Sequence, residues 1–345
     1  MIDDENIDGL EKKYREFVDN LYRELLLRPA DKIGLDYFTS LLMNKTATTE
    51  DVRKLILDSE EVKNIQSFSH YSFQYWNDLD EVEHYMNKLC TGDPKVNWMM
   101  DTKKRFKQYL PFGKVLVVGC GNGWVERELS DLEIGLHFDA FDISEEYIQI
   151  AKKEKEDRPI NYFVADINNM ENIENKKYDA VINYAILHHA VEIEYAIKKI
   201  ANVLKPNGLM FNLEYVGPAR NQYTDEHVSI MKEVMSRIPE RLQSKYPLRP
   251  PIENFRVEPT EAIHSDLVRS TFEKYFDIVY QRDLNGGIAY QILWNNVKGF
   301  MDKFDTEAYS ALKMLLETDN DLTQSKRVPV LFWYSVGRPK LETND

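Results

Sequence analysis

The stretch VLVVGCGNGW, residues 115–124, constrains this chain more than any other. Four apolar residues run into glycines spaced G-x-G-x-G, and a tryptophan follows at once. A short apolar run bounded by glycine reads as a buried strand. Glycines at its end let the backbone turn tightly and a ligand approach it closely. The chain then repeats the unit of strand and helix. WVERELSDL reads as a helix, HFDAFDIS as a strand, and EEYIQIAKKEKED as a helix capped by Ser144. INYFVADI, YDAVINYAIL and GLMFNLEYV read as further strands, with the helix EIEYAIKKIANVLKP before the last of them. This alternation predicts an α/β fold with a parallel sheet covered on both faces. FDIVYQRDL and VPVLFWYSVGRP are expected to add a final pair of strands, separated by a helical stretch around 286–318.

Upstream, residues 8–66 read as helices. Leu10, Tyr14, Phe17, Val18, Leu21, Tyr22, Leu25 and Leu26 recur at three- and four-residue steps. Arg28-Pro29 ends that pattern, because the residue before proline avoids the α region. A second helix is expected over 34–43 and a third from ATTEDVRKLILDSEEV, capped by Thr48 or Thr49. The expected division is a helical domain at 1–66, a linker or cofactor lid at 67–110, the α/β domain at 111–338 and a tail at 339–345. The linker is helical and rich in aromatics, including Tyr71, Phe73, Tyr75, Trp76 and Trp98. Residues 217–259 leave the alternation. In an open α/β sheet, a segment inserted after a strand's carboxyl end lies over the ligand crevice, so this one is expected to cap the substrate side.

Composition narrows the function. Lys plus Arg is 44 against 58 Asp plus Glu, a net charge of −14, which argues against a nucleic-acid partner because phosphate binding needs Lys and Arg. The two cysteines, Cys90 and Cys120, form no metal-site spacing. No apolar run reaches about 18 residues, the length of a transmembrane helix. The acidic start MIDDENIDGL is unlike a secretory signal. A cytoplasmic location is expected, with any contact with the inner membrane face made through partners.

Three ligands compete for the glycine turn. A P-loop needs G-x-x-x-x-G-K-[ST], and no such lysine follows. A dinucleotide site needs a third small residue where Trp124 stands. The spacing Gly119-x-Gly121-x-Gly123 suits S-adenosylmethionine, whose methionine part lies along the loop backbone. Asp142 lies 19 residues past Gly123, the distance at which an acid meets ribose hydroxyls. Asp166 ends the third strand and can hold the adenine amino group, with the Ile167 backbone beside it.

VLVVGCGNG, FDAFDIS, VADINN, YDAVINYAILHHA and LKPNGLMFNLEYV resemble, in order, the motifs of class I S-adenosylmethionine-dependent methyltransferases over about 111–338. The resemblance implies a Rossmann-like, mostly parallel sheet with an antiparallel last strand. It also implies S-adenosylmethionine as cofactor, S-adenosyl-L-homocysteine as product and no metal. It adds Cys120, Ile143 and Asn183 to the cofactor contacts Gly119, Gly121, Gly123, Asp142, Asp166 and Ile167. One departure is Val117, where the family often carries an acid.

GDPKVNWMM, GCGNGWVERELS, EYVGPARNQYTDEH and PTEAIHSD resemble a bacterial subgroup that accompanies glycosyltransferases in polysaccharide pathways. The N-terminal helices resemble a small domain of unknown function appended to surface-glycan enzymes. Tyr22, Leu25, Leu26, Arg28, Asp31, Gly34, Tyr37, Leu57 and Ser59 carry that likeness. Together they imply O-methylation of a sugar of a cell-surface polysaccharide, or of its lipid- or nucleotide-linked precursor, with glycosyltransferases of the pathway as partners. The alternatives are a methyltransferase of small molecules, such as quinones or secondary metabolites, and a scaffold without catalysis.

A hydroxyl acceptor benefits from a general base. Leu187-His188-His189 follows the fourth strand, and histidine titrates near neutrality. His189 is the first choice as base or orienting group and His188 the second. Two adjacent histidines without matched carboxylates argue against a metal. Glu214, Tyr215, Arg220 and Tyr223 follow the fifth strand as candidates for substrate binding. Arg220 reads as a bidentate contact for an anion, and Tyr215 or Tyr223 as a platform for a sugar ring.

Overall fold

The computed structural model describes residues 4–25, 30–57, 59, 75–256, 258–294 and 296–340. The chain divides into two units, Met1–Phe73 and Gln74–Asp345.

The first unit holds α1 (Asp4–Leu25), α2 (Lys32–Met43) and α3 (Thr49–Leu57). The periodic residues Val18, Leu21, Tyr22 and Leu25 are buried, as their spacing requires. Leu26 and the Arg28-Pro29 stop fall outside the described residues. Asp31 caps α2 by accepting from the Gly34 N–H at 2.8 Å. A Cβ on Gly34 would lie 2.0 Å from Tyr22 Oη, so the close approach of α1 and α2 admits only glycine there. Thr48 and Asp51 cap α3 reciprocally. Thr48 Oγ1 accepts from the Asp51 N–H at 3.2 Å, and Asp51 Oδ2 accepts from the Thr48 N–H at 2.9 Å.

In the second unit, α4 (Asp80–Thr91) and α5 (Trp98–Arg105) precede the sheet. The alternating part follows as β1 (Val115–Val118), α6 (Trp124–Asp131), β2 (Phe138–Asp142), α7 (Glu145–Glu154), β3 (Ile160–Val164) and β4 (Tyr178–Tyr184). Then come α8 (Ile193–Val203), β5 (Leu204–Tyr215), α9 (Asp225–Met235), α10 (Ser265–Tyr275) and β6 (Phe276–Asp283). The last elements are α11 (Ala289–Leu293), α12 (Thr306–Gln324) and β7 (Phe332–Pro339). The strand order is β3-β2-β1-β4-β5-β7-β6. β1 to β5 pair in parallel, and β7 runs antiparallel to both its neighbours. This is the Rossmann-like sheet with a reversed last strand. Val118 pairs with Phe141 on one side and Asn183 on the other, so the carboxyl ends of β1, β2 and β4 stand level.

Two expectations need correction. Residues 75–110 are an integral part of the second unit, not a linker. Trp76, Leu79 and Val82 share a core with Tyr215 and Tyr290, while Trp98, Met99 and Phe106 pack with Val115 and Phe211. Residues 67–74, with Tyr71 and Phe73, fall outside the described part, as do residues 341–345 of the tail. Within 217–259, α9 packs into the same core as α11 and α12. The segment that returns to the crevice is the next one: the Ile263 N–H donates to the His188 carbonyl at 3.1 Å.

Candidate active site

The glycine turn owes its sequence to backbone conformation. Gly119, Gly121 and Gly123 have φ of +62°, +53° and +82°, a region that side chains enter at a cost. Protein atoms also fill the space. A Cβ on Gly119 would meet Ile186 Cγ1 at 2.2 Å, and one on Gly123 would meet Tyr162 Oη at 2.4 Å. At these two positions the protein itself excludes a side chain, without help from a ligand. Trp124 starts α6 and meets Tyr184 edge-on at 5.2 Å.

Asp142 is tied to this turn. Its Oδ2 accepts from the Gly121 N–H and its Oδ1 from the Ser144 N–H, each at 2.9 Å. A carboxylate has about four acceptor sites, so these bonds are compatible with ribose hydroxyls. The neighbouring Ile143 is 69% exposed and offers an apolar face. Asp166 Oδ1 accepts from the Asn168 N–H at 2.8 Å and its Nδ2 at 3.0 Å. Ile167 and Cys120 are buried. Burial also pushes the Cys120 thiol pKa up, and it stays neutral. Asn183 is buried, and its Oδ1 has no hydrogen-bond partner. Left-handed glycines, a carboxylate on the turn and an exposed apolar face together fit S-adenosylmethionine.

Glu214 stands beside this site in a different role from the one expected. It is fully buried and accepts from Asn183 Nδ2 at 3.0 Å, the Leu187 N–H at 2.7 Å and the Tyr215 N–H at 2.7 Å. Its Oε1 lies 2.6 Å from His188 Nδ1. It positions the turn after β4 and does not face a substrate. Burial opposes its charge, but the attraction and hydrogen bond of His188, with those of Asn183 and Tyr215, hold its pKa below the usual carboxylate value. Burial likewise works against charge on His188, and the Glu214 carboxylate, aided by Glu261, overcomes it and raises the imidazole pKa. Glu214 thus favours the protonated form of His188. His189 stands beside it. Its Nδ1 lies 3.2 Å from Thr260 Oγ1 and its Nε2 3.5 Å from Glu261 Oε2.

The other candidates after β5 need correction. Arg220 is occupied within the protein. Its side chain donates to the carbonyls of Glu261 (2.8 Å) and Pro259 and stacks 5.2 Å over Phe255, and its N–H donates to Ala262 at 2.7 Å. It pins the loop carrying Glu261 and presents no open fork to an anion. Tyr215 and Tyr223 are buried at 4% and 1% exposure. Tyr290 and Phe332 pack on Tyr215, and His227 packs on Tyr223, so neither ring can stack on a sugar.

Glu261 and Thr260 were not singled out in the sequence. They lie in PTEAIHSD, some 70 residues beyond the histidines, and no local spacing links the two segments. Glu126 was also missed. It sits in the first turn of α6 and is fully buried.

Residues 116–212 match the family described as "Methyltransferase domain", and residues 8–66 match "Domain of unknown function (DUF4214)". The chain is 29% identical over 160 residues to the ubiquinone biosynthesis O-methyltransferase of Pelagibacter ubique, covering 45% of this chain and 65% of that one. It is 28% identical to the malonyl-(acyl-carrier protein) O-methyltransferase of Halalkalibacterium halodurans, covering 38% of this chain and 48% of that one. A solved Pyrococcus horikoshii OT3 protein aligns at 17% identity with a TM-score of 0.39, covering 69% of this chain and 88% of that one. The chain thus spans less than two thirds of the length of these curated relatives.

Proposed function

We propose that this chain is an S-adenosylmethionine-dependent O-methyltransferase acting on a small-molecule acceptor. The observation that carries the reading is the level arrangement of the glycine turn, Asp142 and Asp166 at the carboxyl edge of the sheet, with the histidine cluster on the next strand end. The methyltransferase-domain match over 116–212 supports it. The two curated relatives are named for O-methylation, one in ubiquinone biosynthesis and one of malonyl-(acyl-carrier protein). These names favour a small acceptor over a polysaccharide. A glycan acceptor stays as the second reading on the sequence resemblance alone, since residues 8–66 match only a domain of unknown function; glycosyltransferase partners belong to that reading. No helix among the described residues is long and apolar enough to cross a membrane.

When bound, S-adenosylmethionine supplies an electrophilic methyl group on its sulfonium. Asp142 and Asp166 would hold its ribose and adenine, with Asn183 buried behind the turn. His189 takes the proton of the acceptor hydroxyl, Thr260 fixes its ring, and Arg220 holds the loop that keeps Glu261 beside it. His188 is locked in place by Glu214.

Isotope-labelled S-adenosylmethionine incubated with a panel of phenolic hydroxyls, acyl thioester carboxylates and sugars tests the acceptor. Label on a phenol or carboxylate is expected; label on sugars alone would favour the glycan reading. Asp142→Ala is expected to weaken S-adenosylmethionine binding in calorimetry by about 1.5–3 kcal/mol, the scale for charge-assisted hydrogen bonds. Unchanged affinity would remove Asp142 from the site.

A further inference from the structure

We infer that His188, His189 and Glu261 form a binding site for a divalent transition-metal ion. The ligand atoms of the three residues lie within 4.8 Å of one another. Glu261 Oε2 stands 3.7 Å from His188 Nε2 and 3.5 Å from His189 Nε2. Donors held about 2.1 Å from one ion at tetrahedral angles are roughly 3.4 Å apart, so small side-chain shifts suffice to close the set.

The supporting shell is already built. A metal-binding histidine usually donates its other ring N–H to a carboxylate or another oxygen, which fixes the tautomer. Here Glu214 Oε1 lies 2.6 Å from His188 Nδ1, and Thr260 Oγ1 lies 3.2 Å from His189 Nδ1. Both rings therefore turn Nε2 toward the Glu261 carboxylate. Arg220 anchors the backbone on either side of that carboxylate. The glutamates at 214 and 261 supply the matched carboxylates whose absence from the local sequence argued against a metal.

Charge points the same way. Two carboxylates face two imidazoles in a largely buried cluster, and a divalent cation with neutral imidazoles compensates both. Two nitrogens and one oxygen suit zinc, cobalt, nickel or iron rather than magnesium or calcium, which prefer all-oxygen sites. His189 and Glu261 are less buried than His188, which leaves a side from which another ligand can reach the ion. The inference deepens the proposed reading of this site. A bound ion would displace any proton from His188 Nε2 and could act as a Lewis acid toward an acceptor oxygen, and His189 would become a ligand in place of taking a proton.

The test uses untagged full-length protein stripped with a chelator, then titrated with Co2+ alone. No methyl donor or acceptor is present, so failure of the methyltransferase reading leaves the result intact. One equivalent of Co2+ giving visible absorption bands that Zn2+ abolishes is the expected result. His189→Ala and Glu261→Gln should each weaken binding at least about 100-fold, and Glu214→Gln about 10–100-fold. Circular dichroism of the partly exposed His189→Ala variant establishes that loss of binding is not loss of fold. Absence of bands at millimolar Co2+, or equal affinity in the His189→Ala and Glu261→Gln proteins, would overturn the assignment.

Discussion

Glu214→Gln is expected to destabilise the protein by about 3–5 kcal/mol, the cost of removing one partner from a buried ion pair. The carboxylate has no solvent exposure and four hydrogen-bond donors around it, among them His188. Glutamine retains one acceptor oxygen but replaces the other by an NH2 group that faces donors. It also leaves His188 facing Glu261 Oε2 at 3.7 Å as its remaining carboxylate partner. The pH dependence separates charge from simple loss of packing. His188 has a raised folded pKa, so its contribution is complete below the unfolded value of 6.5 and is lost as pH rises through the folded value, about 10. Glu214 has a lowered folded pKa, so its contribution is complete above the unfolded value of 4.5 and is lost as pH falls through the folded value. Urea unfolding should therefore show the largest difference between wild type and variant from pH 4.5 to 6.5, shrinking toward pH 10. A difference independent of pH would mean that the pair acts as packing alone.

The sheet was legible because its signals are local. Apolar runs, glycine turns and the Ser144 cap lie within a few residues of the elements they define. Ser144 indeed accepts from the Tyr147 N–H at 3.2 Å. The position of the acids at 142 and 166 was legible because strand ends in a parallel sheet share one edge. The surroundings of the histidines were not. Glu214, Glu261 and Arg220 are brought together by tertiary packing across three segments, and a lone Glu or Arg in a loop carries no mark of its partner. The tyrosines misled for a similar reason. Tyr215 and Tyr223 follow the strand that borders the crevice, but a second core of helices between 217 and 324 covers them. The aromatics of 75–110 belong to the same cores, which is why a stretch that looks like a linker folds with the sheet.

Glu126 carries the second large effect. A carboxyl group taken out of water favours its neutral form. Burial pushes its pKa from 4.5 up to about 7, and its own backbone N–H opposes this more weakly. Between those values the folded protein keeps a proton that the unfolded chain has released. Stability from this group is therefore complete below pH 4.5 and falls as pH rises to about 7, by about 3 kcal/mol in all. Glutamine has nearly the same shape and no charge to bury. Glu126→Gln and wild type should unfold at similar urea concentrations at pH 4.5, while at pH 8 the variant should be more stable by about 3 kcal/mol. Equal stability differences at the two pH values would show that Glu126 is ionised throughout. Glu126 lies in the helix that starts where the glycine turn ends, and Tyr162, against which Gly123 packs, also acts on its charge. Its ionisation near neutrality thus loads the segment that shapes the cofactor turn. S-adenosylmethionine affinity should accordingly fall between pH 6 and 8 in wild type and stay flat in Glu126→Gln.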